Sequence, residues 1–270
     1  MPELPEVETT CRGIAPHVEG RTVTSVIVRD ARMRRPVPHS LALELPGEQI
    51  ERVQRRGKYL LLQAQRGTLL IHLGMSGNLR VIESTAPPRK HDHVDIVFGT
   101  RALRYHDPRR FGVVDWWIGP IEAHPLVAPL GIEPLAAAFD GAWLYRATRG
   151  RRSAIKLFLM DAHTIVGVGN IYASESLFRA GIRPGTQTGR LSLARCEKLV
   201  AAVKETLLAA IQAGGSTLRD FVGSDGAPGY FQHEAYVYGR AGSPCRRCGG
   251  PIRQTTLGQR STFWCPKCQN

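Results

Sequence analysis

The sequence predicts an α+β chain that is β-rich first, helical second and closed by a metal-binding hairpin. Three observations lead there. Residues 1–130 hold TVTSVIVRDARM, KYLLLQAQ, TLLIHLGMSGNLRVI and HDHVDIVFG, runs of β-branched and apolar residues separated by Gly, Pro or Arg-Gly breaks. Residues 131–234 switch period: Leu199, Val200, Val203, Leu207, Leu208 and Ile211 recur at three- and four-residue steps, as a helix facing a core requires. Residues 235–270 carry two C-x-x-C pairs, Cys245 with Cys248 and Cys265 with Cys268, spaced as knuckles facing across a β-hairpin.

The first element is a helix through VETTCRGIAPHVEG that stops at Gly20. Pro2 and Pro5 suit its entry, because proline has a helical φ and lacks only an N–H that the first turn leaves unbonded. The same opening, MPELPEVETT, allows a chemical reading. Removal of Met1 would leave Pro2 with a free secondary amine beside the Glu3 carboxylate, and local sequence does not choose between the two. In HDHVDIVF the alternation sets Val94, Ile96 and Phe98 against His91, His93 and Asp95, predicting a half-buried strand with a polar working face. His-x-His-x-Asp also offers metal-ligand types, though the cysteines account for zinc better. HLGMSG places Met75 between glycines, as an exposed loop would, and DPRRFG sets Phe111 beside two arginines in another turn. Lone loop aromatics usually pack in a core; an exposed one beside arginine can also enter a base stack.

A Pro- and Gly-rich stretch at 118–135 reads as a link between domains. Beyond it, IVGVGNIYASESLFRAGIRPG leads through glycines into a helix that Gly181 and Pro184 end, giving a helix–turn–helix with the period that follows. The glycines of GVGNIYA permit either close helix packing or a backbone cradle for phosphate, with Asn170 as cap or as phosphate donor. In the tail, four thiolates make a closed, structural zinc site, and the hairpin between them presents Arg253 and Arg260. So short a segment has little core of its own, so the metal supplies folding energy.

Charge narrows the partner. The 270 residues hold 36 Lys+Arg against 23 Asp+Glu, a formal +13, which favours a polyanion. The excess is clustered, in RVQRRGK, in RATRGRR and in a tail from Tyr238 to Asn270 without one acidic residue. No apolar stretch reaches the length of a membrane span, and the acidic opening is unlike a signal peptide, so a soluble, cytoplasmic protein is expected. Cys11 and Cys196 stand alone and read as buried thiols without a role.

PELPEVE, KYLL, HLGMSG, KHDHVD, DPRRFG, VGVGNIYASESLF, SDGAPGYF, VYGR and the finger with QRSTFWC occur in one order. Together they resemble the bacterial formamidopyrimidine-DNA glycosylases from end to end. That resemblance implies a β-sandwich behind the leading helix, a helix-two-turn-helix domain and a four-cysteine zinc finger on a β-hairpin. It implies excision of oxidised purines, 8-oxoguanine and formamidopyrimidines, from duplex DNA, followed by β,δ-elimination at the abasic site, by a monomer at the nucleoid. It makes Pro2 the nucleophile, Glu3 the adjacent proton donor, Lys58 a donor near the sugar and Arg260 the residue tied to the second elimination. His72, His91, Arg109, Arg151 and Asn170 match positions that touch DNA. Met75, Arg109 and Phe111 match a wedge that fills the gap left by a flipped base, and FVGSDGAPGYF (221–231) matches a loop that closes over it. Glu6 matches the motif too, with charge at a helix N-terminus as its rival role. Two other readings stay in view. A relative acting on oxidised pyrimidines typically opens PEGPE and lacks this wedge, and a zinc-dependent DNA binder without catalysis leaves PELPEVE and Lys58 unexplained.

Overall fold

Pro2 lies just outside the first helix, and Pro5 lies in its first turn. The computed structural model describes residues 2–215 and 235–270; the stretch 221–231 lies outside them. Helix α1 (Leu4–Val18) turns Val7, Cys11, Ile14 and Val18 inward at helical spacing. Gly20, at φ +72, lets the chain reverse after it, since glycine alone adopts a left-handed backbone there without strain.

The chain forms two compact units, one from Met1–Pro129 and Ala213–Gln232, the other from Leu130–Gln212 and His233–Asn270. In the first, strand β1 (Ser25–Val28) and helix α2 (Ser40–Glu44) precede seven further strands. These are β2 (Ile50–Arg56), β3 (Tyr59–Ala64), β4 (Gly67–His72), β5 (Asn78–Glu83), β6 (Asp92–Phe98), β7 (Arg101–His106) and β8 (Val113–Ile118). They make two four-stranded antiparallel sheets, ordered β1-β6-β7-β5 and β2-β3-β4-β8. Leu60, Leu62, Leu69 and Ile71 of one sheet share a core with Leu79, Val94, Ile96 and Leu103 of the other. The arrangement is a sandwich with α1 packed on it.

Strand β6 differs from its expectation. Asp92 through Val97 are all buried, so the polar face is covered and is not an open working surface. Alternation reveals which face is apolar, but not that neighbouring strands bring arginines over the other. Asp95 takes Arg104 at 2.7 Å and Arg29 at 2.7 Å; Asp92 takes Arg80 at 3.0 Å and His106 Nδ1 at 2.8 Å. Buried carboxylates need such partners. Burial pushes the Asp95 carboxyl up, but the guanidiniums of Arg104 and Arg29 prevail and hold it below the usual range.

The second unit carries α3 (Gly141–Thr148), α4 (Ile155–Met160), α5 (Asn170–Ala180), α6 (Leu193–Gln212), β9 (Arg253–Leu257) and β10 (Arg260–Trp264). Asp140 caps α3 by accepting from the Trp143 N–H at 2.6 Å. Helix α5 ends at Gly181 in the left-handed conformation (φ +68) and packs on α6. β9 and β10 pair as one hairpin, and Phe178 of α5 shares a core with Val237, Ile252, Phe263, Cys245 and Cys265. Cys11 and Cys196 are both buried, and burial pushes the Cys11 thiol up to about 11, a poor state for reactivity.

Candidate active site and nucleic-acid interface

On the sandwich unit, the N-terminus is held by its own helix. Glu3 is the N-cap of α1, and it forms a reciprocal capping box with Glu6, whose Oε2 accepts the Glu3 N–H at 2.8 Å. Glu3 is 3% exposed and Glu6 is fully buried, while Pro2 precedes the cap and is buried too. Glu6 therefore fixes the backbone from which Pro2 projects.

Lys58 occupies the two-residue turn between β2 and β3, closed by the Arg56–Tyr59 pair, with Gly57 at φ +58. Arg55 joins this turn to α1: it donates to the Gly57 carbonyl at 3.1 Å and to Glu8 at 2.8 Å. Burial pushes Glu8 up, but Arg55 and Arg12 outweigh it and hold the carboxyl low. Neither Glu8 nor Arg55 stood out in sequence, because a partner forty-seven positions away leaves no local pattern.

His72 ends β4 opposite Tyr59, with ring centroids 4.9 Å apart. Its Nδ1 accepts the Gly74 N–H at 3.0 Å, so the neutral ring carries its proton on Nε2. Burial, then the Lys58 and Arg34 cations, push the pKa from 6.5 down to about 4. The sign for stability follows: between 6.5 and about 4 the unfolded chain takes up a proton that the native ring refuses, so acidification through that window destabilises the fold. In His72→Gln the fall of Tm from pH 6.5 to pH 4 is expected to be shallower than in the parent. Equal slopes by calorimetry would contradict this.

The turn after His72 and the turn at 107–112 lie against each other. A Cβ on Gly74 would meet Gly112 N at 2.5 Å and the Phe111 carbonyl carbon at 2.6 Å. Met75 is half-buried, Arg109 exposed and Phe111 44% exposed, with the Arg109 guanidinium 4.8 Å from the Phe111 ring centroid. Arg110 points elsewhere, pairing with Asp30 at 2.7 Å. His91 precedes β6 at φ +74, its ring edge-on to those of His93 and His106. His93 donates to the Asp107 carbonyl at 2.9 Å and Asp95 is paired with arginine, so the His-x-His-x-Asp run forms no ligand cluster.

The second unit holds the remaining candidates. Arg260 opens β10 opposite Leu257, after a Gly258–Gln259 turn with φ of +54 and +60, the type I′ geometry of a tight hairpin. The Ser261 carbonyl beside it accepts from Asn170 Nδ2 at 3.1 Å and from Lys156 Nζ at 3.0 Å. The N-cap of α5 is Gly169, not Asn170, and Asn170 spends one hydrogen of its amide NH2 on tying α5 to the hairpin. Lys156, fully buried, also donates to Thr262 Oγ1 at 2.7 Å. Arg151 is exposed, with its guanidinium 5.2 Å from the Phe158 ring.

Among the described residues, one cluster has the composition of a metal site. The Sγ atoms of Cys245, Cys248, Cys265 and Cys268 lie within 4.8 Å of one another, with 3.9 Å between Cys245 and Cys268 and 3.4 Å between Cys248 and Cys265. Four thiolates about 2.3 Å from a tetrahedral zinc would lie about 3.8 Å apart, so the set fits. Arg247 N–H points at Cys245 Sγ at 3.4 Å, the kind of outer bond that stabilises a thiolate.

Known proteins decide what this set of features belongs to. Residues 1–114 match the formamidopyrimidine-DNA glycosylase N-terminal domain, 130–222 its H2TH domain, and 242–270 the zinc finger found in FPG and IleRS. The formamidopyrimidine-DNA glycosylase of Aromatoleum aromaticum is 61% identical over all of this chain and 99% of its own. This chain belongs to the formamidopyrimidine-DNA glycosylase family. The family's enzyme from Methylococcus capsulatus is 58% identical over the whole of both chains. The MutM (Fpg) crystal structure from Thermus thermophilus superposes with a TM-score of 0.89 at 38% identity, covering 99% of this chain and 98% of that one. A Lactococcus lactis Fpg variant, solved with Fapy-dG-containing DNA, reaches 0.92 at 34% identity over both full chains. As a family member the chain is a glycosylase with a four-cysteine zinc finger. Pro2, Glu3, Lys58, His72, Met75, His91, Arg109 and Phe111 stand on its sandwich unit, and Arg151, Asn170, Arg260 and the cysteines on the other.

Proposed function

We propose that this glycosylase excises oxidised purines from duplex DNA through the amine of Pro2 and then cuts the strand by β,δ-elimination. The observation that carries the reading is the buried Pro2–Glu3 opening, fixed by the capping box with Glu6, in a chain that the family matches from end to end. Once Met1 is removed, Pro2 bears an α-amine. Such an amine titrates near 8 against about 10.4 for lysine, so at neutral pH roughly a tenth is unprotonated, against well under a thousandth.

Attack of the Pro2 nitrogen on C1′ expels the base with the glycosidic electron pair, and the N–H proton of the resulting ammonium adduct passes to the departing base, which frees the nitrogen lone pair to open the sugar ring. Glu3 gives a proton to the sugar ring oxygen as the ring opens. The product is an iminium with no N–H to lose, and so a lasting cation. It acidifies C2′–H; loss of that proton expels the 3′ phosphate, and a second elimination expels the 5′ phosphate. Lys58 donates a proton near the sugar and contacts phosphate. Arginine holds its protons above pH 12, so Arg260 acts by stabilising the departing phosphate electrostatically. Attack at C1′ needs the nucleotide out of the stack, which gives Met75, Arg109 and Phe111 their role as a wedge, with Arg109 reading the orphaned cytosine.

His72, His91, Arg151 and Asn170 contact DNA, Asn170 in part by holding the Arg260 hairpin. Residues 1–130 are the catalytic region, 131–234 grip the duplex and 235–270 form the finger. The protein works as a monomer on cytoplasmic, nucleoid DNA, and the net +13 supports the polyanionic partner. No described helix is long and apolar enough to cross a membrane. Borohydride capture, run side by side on 8-oxoguanine·cytosine and thymine glycol·adenine duplexes, tests the assignment. Faster capture and excision on the purine lesion is expected; preference for thymine glycol would move the chain's substrate to oxidised pyrimidines.

A further inference from the structure

Asp107 is fully buried, and its carboxylate meets four donors from two separate turns and a strand. Oδ1 accepts from Ser76 Oγ at 2.7 Å and from the Arg109 N–H at 3.2 Å. Oδ2 accepts from the Gly112 N–H at 2.9 Å and shares with the His72 carbonyl the single proton of the Tyr105 hydroxyl, which is 3.3 Å from each. Its main chain reaches a third loop: the Asp107 N–H donates to the His91 carbonyl at 3.0 Å, and its own carbonyl accepts from His93 Nε2 at 2.9 Å. Ser76 follows Met75 directly, and Arg109 and Gly112 flank Phe111.

We propose that the Asp107 carboxylate is the positioning residue that locks the Met75 turn and the Arg109–Phe111 turn into one rigid unit, and so sets how strictly the base opposite the lesion is read. The inference rests on the wedge reading given under the proposed function. Its physical ground is the distribution of acceptors. A carboxylate offers about four lone-pair sites in one plane and binds backbone N–H groups more strongly than a neutral carbonyl does, so one such group can tie two turns together. Here three are taken by Ser76, Arg109 and Gly112, and the fourth faces the shared Tyr105 proton. The glycine contacts between the turns leave no room for another device: a Cβ on Gly112 would overlap the Tyr105 hydroxyl at 1.7 Å, and one on Gly77 would meet it at 2.6 Å. A wedge entering a base stack gains discrimination only if its parts keep their spacing when pushed, since misplacement of a reacting or probing group by about 1 Å can cost a hundredfold.

Asp107→Asn is nearly isosteric but cannot satisfy the site. Whichever way the amide turns, its NH2 faces a backbone N–H, that of Arg109 on one side or Gly112 on the other. Ser76→Ala is gentler, removing only the tie to the Met75 turn. The measurements are single-turnover excision from 8-oxoguanine paired with cytosine and with adenine, and borohydride capture on an abasic site in single-stranded DNA, where no stack is opened. Asp107→Asn is expected to slow duplex excision by about tenfold or more and Ser76→Ala by about threefold. Both are expected to shrink the cytosine-over-adenine preference while leaving single-strand capture within about twofold of the parent.

An unchanged preference in both variants overturns the inference, and so does a loss of single-strand capture in step with duplex excision by Ser76→Ala, which marks a general structural role. Excision by the parent protein separates the two levels. A parent that fails on 8-oxoguanine duplexes sinks the proposed function and this inference with it; a working parent with indifferent variants sinks this one alone.

Discussion

Converting the Pro2 amine into an amide, by an N-terminal extension that cannot be processed, is expected to abolish borohydride capture on a lesion duplex. An amide nitrogen shares its lone pair with the carbonyl and does not attack C1′. Pro2→Gly is the finer test. It leaves an α-amine of similar basicity, but a primary one, whose adduct carries an N–H and relaxes to a neutral imine. The electron sink weakens, and excision is expected to fall by about a hundredfold or more, or roughly 3 kcal/mol of transition-state stabilisation. Binding of the duplex is expected to survive in both proteins within a few fold, because the basic residues of the second unit and the wedge are untouched. Parent-like capture by the extended protein, or mass analysis that finds the sugar on a lysine, would remove Pro2 from the mechanism. Loss of binding as great as the loss of excision would show that the changes had damaged the helix entry, which the capping box between Glu3 and Glu6 makes the chief structural risk.

Much of the local frame that carries the candidate residues was legible in the sequence because its signals are local. The α1 start, the Gly181 stop, the two cysteine knuckles and the loop character of HLGMSG and DPRRFG each lie within a few consecutive residues. What escaped is what the fold assembles from afar. Asp107 looked like a turn residue of DPRRFG, and nothing near it announces that Ser76 donates to it from thirty-one positions away. Lys156, which no local pattern marks, is fully buried with its ammonium on Ser261 and Thr262. The polar face of β6 failed for the same reason: its cover comes from Arg104 and Arg80 on other strands and from Arg29 just after β1. The short helices α2, α3 and α4, of five, eight and six residues, carry too few turns for a period to show.

Cys265→Ser is expected to release the zinc and to change the products of the reaction as well as the affinity. Cys265 directly follows β10, the strand that Arg260 opens, so one ligand anchors the far end of the strand that presents the arginine. The same residue is tied to the helices: its N–H donates to Gln269 Oε1 at 2.8 Å, and the Gln269 amide donates to the Ile182 carbonyl at 2.9 Å. The apolar core beneath the finger is small, Phe178, Val237, Ile252 and Phe263 with two of the cysteines themselves. Structural zinc contributes about 10 kcal/mol or more in such segments, at least as much as those few buried side chains together at ~1.5–3 kcal/mol each, so the hairpin should lose its shape with the metal. Affinity for a lesion duplex is then expected to drop by about tenfold or more, as several cationic contacts go together. The sandwich retains Pro2, Glu3 and Lys58, so base excision and the first elimination should persist at high enzyme concentration. The second elimination should lag, because the Arg260 proposed to steady the departing phosphate is no longer held. Accumulation of the singly eliminated product, read on a sequencing gel beside metal analysis, is the expected outcome. A zinc-free variant that bound DNA like the parent and still produced the doubly eliminated gap would place neither grip nor second elimination on the finger.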